Sequence, residues 1–245
     1  MRKTAPRLRP RRKRRNEEER RWPLVVGRWP TPRCRCWILP TTNDERPTTN
    51  VKLIVGLGNP GPEYELTPHN LGFLTIDRLA ADLNVEVRNR QCRALTARAT
   101  IGDEPVVLAK PETFMNLSGV SVRELVEKLE IRPEADVIVI QDELDLPFGT
   151  LKVHRARSSA GHNGIESIID SLGTKDFLRI RIGVAPEHKV ADGKDYLLSP
   201  MRKAQLKVID AVLIEAVDAA KMIVKDGPAV TMLRFNRRAP EENGQ

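Results

Sequence analysis

The sequence has few of the residues that build disulfide frameworks, metal sites and membrane spans. It contains three cysteines, Cys34, Cys36 and Cys92, and four histidines in 245 residues. The cysteines are too few and too irregularly spaced for a disulfide framework, and no histidine near the first two completes a zinc site. The uncharged apolar runs, such as residues 137–140, are far too short to cross a bilayer. These absences exclude a disulfide-stapled secreted domain and favour a reducing, cytoplasmic setting.

Positive charge is distributed unevenly along the chain. The formal net charge is +8, yet residues 1–50 contain 15 Lys and Arg against 5 Asp and Glu. The remaining residues contain 26 basic and 28 acidic side chains, a net charge of −2. Because that part of the chain offers no general attraction to phosphate, binding of a polyanion there requires a local basic patch.

The first 50 residues differ in composition from the rest of the chain. They hold all three tryptophans, the basic run at 11–15 and prolines without a period, which predicts a basic extension that is disordered on its own. One interpretation of this extension is an RNA-binding arm. The interpretation we favour is that translation begins near Val51 and that the upstream residues result from a misassigned start. The expected organisation is therefore an extension at 1–50 and one domain at 51–245.

From Val51 onward, apolar runs alternate with amphipathic stretches, and this alternation predicts the fold. A pair of strands is expected to turn at Gly102 and Asp103. The expected strands are 52–55, 95–101, 105–109, 137–140, 150–153 and 178–184, and the expected helices are 68–83, 118–129, 163–171, 200–225 and 229–235. Strands separated by helices predict an α/β protein, with a single three-layer α/β/α domain around a twisted mixed β-sheet.

The loop after the first predicted strand, GLGNPG, matches the dinucleotide-binding pattern GxGxxG. A dinucleotide site needs a helix that opens within the glycine motif, whereas the periodic helix here begins only near Pro68. A nucleotide-dependent oxidoreductase is therefore disfavoured, and no cofactor is expected. The glycines instead permit a sharp turn that presents Asn59. A purely structural role, in which Asn59 bonds its own backbone, is the alternative.

Polar side chains follow several predicted strands and are expected to meet at one edge of the sheet. His69 lies near the start of the first helix, Asn116 precedes the second, Asp142 comes just beyond the strand at 137–140, and a glycine-containing loop presents His162. Ligands of open α/β sheets collect outside the carboxyl ends of the strands. The loops that carry these side chains should therefore converge on one site.

This set of side chains contains neither an activated nucleophile nor a metal motif. The serines lack the GxSxG elbow, Cys92 lies away from every motif, and no HExxH-like spacing occurs, so no metal is expected. His69 remains as a general base that activates water, with Asp142 holding its tautomer. A histidine at a helix N-terminus is expected to have a lowered pKa. General-base action contributes about 10² to 10⁴ in rate, and amide donors about 10² to 10³ more, which suits an activated ester.

Six motifs in order resemble the bacterial-type peptidyl-tRNA hydrolase family: LIVGLGNPGPEY, TPHNLGF, KPETFMNLSG, VIQDELDLPFG, GHNG and FLRIRIGV. The resemblance implies a cofactor-free, usually monomeric α/β/α hydrolase that releases peptide and free tRNA from peptidyl-tRNA dropped by stalled ribosomes. It implies that His69 is the catalytic base and that Asp142 stabilises its proton-accepting form. It also implies that Asn59 discriminates peptidyl from free aminoacyl ends.

The resemblance extends to the substrate-binding residues. The side chains similar to positions that bind the peptide and the terminal adenosine are Tyr64, Phe114, Asn116 and Asn163. Two more, Met115 and His162, are similar to positions that line the same cleft.

The sequence departs from the family at two positions. Ala160 stands where relatives commonly have glycine, and His154 where relatives often have a lysine or arginine near the tRNA backbone. The basic patch for tRNA phosphates is then expected from Lys152, Arg155, Arg157 and Arg181.

The main alternative is a non-catalytic RNA-binding protein on the same fold, similar to the plastid intron-splicing factors that descend from this hydrolase family. The joint presence of His69, Asp142, Asn59 and Asn116 argues against that alternative.

Overall fold

The computed structural model describes residues 51–186 and 193–236. The predicted extension at 1–50 lies outside the described residues, as does the end of the predicted domain after residue 236. The domain boundaries therefore stay predictions. The strands are β1 (Lys52–Gly56), β2 (Asn89–Gln91), β3 (Ala94–Ile101), β4 (Glu104–Pro111), β5 (Val137–Pro147), β6 (Leu151–Arg155) and β7 (Leu178–Ala185). The helices are α1 (Leu71–Asp82), α2 (Ser118–Leu129), α3 (Pro133–Asp136), α4 (Asn163–Leu172), α5 (Gly193–Leu198), α6 (Lys203–Asp226) and α7 (Pro228–Phe235).

The strands form one mixed seven-stranded sheet in the order β2-β3-β4-β1-β5-β7-β6. The four strands β4, β1, β5 and β7 run parallel to one another. The flanking strands β2, β3 and β6 pair antiparallel with their neighbours. Because the parallel strands end at the same edge, the loops after them are brought together there.

Helices cover both faces of the sheet. Along β1, Ile54 packs into a core with α1 and α6, whereas Leu53 and Val55 pack into a second core with α2 and α4. This alternation of buried side chains follows from the two-residue period of a strand. The predicted three-layer α/β/α fold is thereby confirmed. In the described residues, no helix is long and apolar enough to span a membrane.

Strand β5 extends further than the sequence predicted. The apolar run ends at Ile140, which is also the last residue of β5 that pairs with β1. Pairing with β7 continues beyond it, with Gln141 opposite Arg181 and Asp142 opposite Ile182. The expectation that Asp142 comes after the strand is therefore wrong. The carboxylate lies within β5, on a stretch that projects past the end of β1.

Two predicted α-helices begin later than the sequence predicted. The stretch predicted as 68–83 begins with a 3-10 turn at Pro68–Asn70, and the α-helix starts only at Leu71. The stretch predicted as 200–225 begins after Arg202, whose backbone N–H donates to the side chain of Gln205. The short elements β2, α3 and α5 were not predicted, because they have too few residues to establish a period. The remaining predicted elements occur within a few residues of their expected bounds.

Candidate active site

A cleft of about 550 Å³ opens at the edge where the parallel strands end. It brings together side chains from the loops after β1 and β4, from β5 and from the start of α4. The predicted site residues that line it are Asn59, Tyr64, His69, Phe114, Met115, Asn116, Asp142, His162 and Asn163. Lys152 and Arg181 are not among the lining residues.

Close packing of α1 on the end of β1 fixes the position of the first loop. Gly56 and Gly72 meet so closely that a Cβ on Gly56 would lie 2.2 Å from the Gly72 carbonyl oxygen. The N–H of Phe73 donates to the Leu57 carbonyl at 3.2 Å. Only glycines allow this approach, which holds the turn before α1, and with it His69, against the end of β1.

Asn59 is held by two different parts of the site. Its backbone N–H donates to Asn70 Oδ1 at 2.8 Å, and its carbonyl accepts from Asn70 Nδ2 at 3.0 Å. Its side-chain Oδ1 accepts from the Met115 N–H at 2.9 Å. Because a backbone N–H can only donate, the amide orientation is determined and Nδ2 is a donor. Within the part of the chain that the structure describes, that Nδ2 donates no hydrogen bond.

His69 and Asp142 form a buried hydrogen-bonded pair. His69 lies in the 3-10 turn before α1 and is 8% exposed, and Asp142 is 1% exposed. His69 Nδ1 lies 2.9 Å from Asp142 Oδ1 and 3.0 Å from Oδ2. The carboxylate only accepts, so Nδ1 carries the proton and Nε2 keeps its lone pair when the ring is neutral. This is the tautomer that a general base requires.

The pKa of His69 is shifted in the direction opposite to the sequence-based expectation. Burial lowers this pKa, but the charge of Asp142 and its hydrogen bond outweigh burial and raise it above the ordinary value. Burial favours a higher pKa for Asp142, yet the two neighbouring imidazoles, His69 and His162, hold it well below its usual range. The expected lowering of the His69 pKa is therefore wrong, because the effect of the nearby carboxylate exceeds that of burial.

His162 completes a cluster of donor atoms around Asp142. Its Nε2 lies 3.1 Å from Asp142 Oδ1, and its Nδ1 accepts from the N–H groups of Gly164 and Ile165 at 3.1 and 3.3 Å. One ring nitrogen of His69, one of His162 and one carboxylate oxygen of Asp142 lie within 4.8 Å of one another, a spacing that suits a metal ion. The backbone donors place the lone pair of His162 on Nδ1, so Nε2 bears hydrogen and is a poor metal ligand.

Sequence reasoning missed several residues of the cleft. The structure adds Glu143, Leu144, Lys194, Leu197 and Leu198 to its lining. The two residues after Asp142 reach the cleft because β5 continues past Ile140. The α5 residues had no periodic signal, since that helix has only six residues.

Arg181 is an ion-pair partner inside the protein. It is 7% exposed, and its Nε and Nη2 donate to Glu143 Oε2 at 2.8 and 2.7 Å. The Arg181 guanidinium is therefore held by a buried carboxylate of the neighbouring strand and is not free in solvent. Lys152 is half-buried and donates to the Asn236 carbonyl at 3.0 Å. A role for either residue in tRNA binding stays a prediction.

The family model described as Peptidyl-tRNA hydrolase matches residues 53–243. Peptidyl-tRNA hydrolase of Koribacter versatilis (strain Ellin345) is 55% identical over 197 residues, which cover 80% of this chain and 98% of the relative. That of Acidobacterium capsulatum is 51% identical over 195 residues, or 78% and 98% of the two chains. The crystal structure of peptidyl-tRNA hydrolase from Acinetobacter baumannii has a TM-score of 0.72 at 31% identity, covering 79% of this chain and 98% of that one. The chain therefore belongs to the peptidyl-tRNA hydrolase family.

Proposed function

We propose that His69 activates water to hydrolyse the ester bond of peptidyl-tRNA, with Asp142 orienting its ring and Asn59 stabilising the developing oxyanion. Family membership makes this hydrolysis the activity of the chain. The observation that supports the catalytic assignment most directly is the buried hydrogen bond from His69 Nδ1 to Asp142 at 2.9 Å. It leaves His69 Nε2 as the proton acceptor at the cleft.

The reaction proceeds in two steps. His69 Nε2 removes a proton from water while the water oxygen bonds to the ester carbonyl carbon, and the carbonyl electrons move onto its oxygen. The oxyanion then collapses, the bond from carbon to the ribose oxygen of the tRNA breaks, and the imidazolium returns its proton to that oxygen. Asp142 stabilises the imidazolium between these steps by charge and hydrogen bonding.

Asn59 is suited to the oxyanion because its amide is preorganised. The Met115 N–H fixes Oδ1, and Nδ2 is thereby directed to the cleft without the need to reorient during the reaction. A donor of this kind contributes about 10² to 10³ in rate. The same donor would read the peptide carbonyl that distinguishes a peptidyl end from a free aminoacyl end.

Exposed side chains around the catalytic group supply contacts for the substrate. Phe114 is 60% exposed at the rim of the cleft and offers a surface for stacking on a base or packing on a peptide side chain. Asn116 and Asn163 are exposed amides in the same lining and are suited to polar groups of the peptide and the terminal nucleotide.

Positive potential near β6 supports a contact with tRNA phosphates. Burial lowers the pKa of His154, and the surrounding cations Arg181, Arg157, Lys152 and Arg179 lower it further. Two of the basic residues in this region are neutralised by ion pairs. Arg181 pairs with Glu143, and Arg155 pairs with Asp176. We assign Lys152 and Arg157 direct contacts with tRNA phosphates. Arg181, which pairs with Glu143, contributes only to the positive potential.

We propose further that the enzyme is a cytoplasmic monomer. The proposed catalytic residues His69, Asp142 and Asn59 lie together in one cleft, and we propose that the enzyme acts as a monomer. The substrate is a product of translation, which favours the cytoplasm. The domain at 51–245 carries the activity, and the extension at 1–50 is not needed for it.

Release of an N-acetylated amino acid from its tRNA by the purified full-length chain, without added metal or nucleotide, tests the proposed function. We expect multiple turnovers and little activity on the same tRNA with a free amino group. Binding of the tRNA without any release would support the RNA-binding alternative and contradict the enzyme assignment.

A further inference from the structure

The histidine at the start of α4 has a determined tautomer. The N–H groups of Gly164 and Ile165 both donate to His162 Nδ1, so this nitrogen caps the helix in the way an Asn or Ser oxygen usually does. A nitrogen that accepts these bonds bears no proton. The hydrogen of the neutral ring is therefore on Nε2, the atom that faces Asp142 Oδ1 at 3.1 Å.

Asp142 is held between two N–H donors from different segments of the chain. His69 approaches from the turn before α1 and His162 from the loop before α4, with their ring centroids 5.1 Å apart. Among the described residues, no other side chain donates to this carboxylate. A buried carboxylate that lost one of two donors would move towards other donors or admit water.

The loop before α4 is itself held in place. The Arg179 side chain donates to the carbonyl oxygens of Arg157 and Ser158, the latter at 2.8 Å. Further along, Ala160 and Gly161 adopt left-handed backbone conformations, with φ of 51° and 79°. The chain thus turns sharply just before His162, and the loop and the helix together direct the ring to Asp142.

We infer that His162 is a positioning residue for the reaction, which uses its helix-capping bond to fix the donor that holds Asp142 against His69. The inference rests on the proposed roles of His69 and Asp142. It assigns to His162 a function that does not require contact with the substrate. The helix cap and the catalytic pair are then coupled through one imidazole ring.

Two conservative variants separate the two hydrogen bonds of His162. In H162N, the amide oxygen replaces Nδ1 as the cap, but nothing reaches Asp142. In H162Q, the amide nitrogen replaces Nε2 as the donor to Asp142, but the cap is lost. We expect H162N to fold with its helix cap intact, and to lose about 10- to 100-fold in kcat with little change in KM when assayed well below its Tm. We expect H162Q to retain kcat within a few-fold, and to lose about 2 to 4 °C in Tm.

The opposite pattern would overturn the inference. A purely structural His162 predicts that kcat follows Tm, so that H162N is active and H162Q is impaired. H162N with native kcat overturns the inference while leaving the proposed function intact. Failure of the native chain to release N-acetylated amino acid overturns the proposed function first, and with it the basis of the inference.

The tautomer can be measured without any substitution. NMR of isotope-labelled imidazole nitrogens in the full-length chain should show His162 with a protonated Nε2 and a bare Nδ1. A bare Nε2 on His162 in the neutral ring would contradict the positioning role, whatever the kinetic behaviour of the variants.

Discussion

Asn70 holds the backbone of Asn59 by two hydrogen bonds, one to its N–H at 2.8 Å and one to its carbonyl at 3.0 Å. Asn70 directly follows His69, so a single turn places both the general base and the segment that carries the oxyanion donor. The relative position of these two groups is therefore determined locally.

Asn70→Ala should reduce turnover although the side chain does not line the cleft. Removing its amide leaves the N–H and carbonyl of Asn59 unsatisfied in a buried position, which costs about 1 to 3 kcal/mol for each group. We expect a lower Tm and a loss of kcat. Because Asn70 acts through Asn59, the kcat effects of N70A and N59D should be strongly non-additive in a double-mutant cycle. Additive losses would show that Asn70 acts elsewhere.

Asn59→Asp isolates the donor function of Asn59. The variant keeps an oxygen to accept from the Met115 N–H at 2.9 Å and removes the Nδ2 donor. We expect kcat for N-acetylated aminoacyl-tRNA to fall by about 10² to 10³. Asn116→Asp is the matched control, with the same charge change in the same cleft, and it should mainly raise KM. Equal losses of kcat in both variants would point to a general charge effect.

The dependence of kcat/KM on pH should report the raised pKa of His69. Only the neutral ring accepts a proton from water, so activity should rise with pH, with a midpoint above the ordinary histidine value of 6.5. In Asp142→Asn the charge that raises this pKa is gone and burial remains, so the midpoint should move to lower pH. The maximal rate of that variant should fall by about 10² to 10⁴. A pH-independent native rate between about pH 6 and pH 8 would exclude a histidine base.

Chelators should leave activity unchanged. The donor cluster of His69, Asp142 and His162 has metal-like spacing, but the helix cap places hydrogen on His162 Nε2. Turnover by the purified chain should therefore be the same before and after dialysis against a strong chelator. Loss of turnover with the chelator, restored by a divalent metal, would show that the ring adopts the other tautomer and binds an ion.

The sequence predicted which polar side chains meet in the cleft because parallel strands end at one edge. The apolar run ending at Ile140 and the helix that begins near Asn163 were enough to predict that their neighbouring polar residues meet. The sheet layers could likewise be predicted, since the period of β1 alternates Leu53 and Val55 with Ile54.

Features that depend on partners distant in sequence were not predictable. The alternating LRIRIGV pattern places both arginines on one face of β7, which normally indicates solvent. The structure buries Arg181 against Glu143, on a neighbouring strand whose register the sequence does not reveal. The sequence predicted that Asp142 holds His69, but not that the charge of this carboxylate outweighs burial and raises the pKa of His69. The bonds between Asn70 and Asn59 also required the close approach of α1 to β1.

The most direct test of the account is turnover by His69→Ala in the full-length chain, measured beside binding of the same N-acetylated aminoacyl-tRNA. His69 contributes proton transfer and few contacts, so the account predicts a loss of kcat of at least about 10² with nearly native affinity. Native turnover by this folded variant would contradict the central claim that the imidazole of His69, held by Asp142, activates the attacking water.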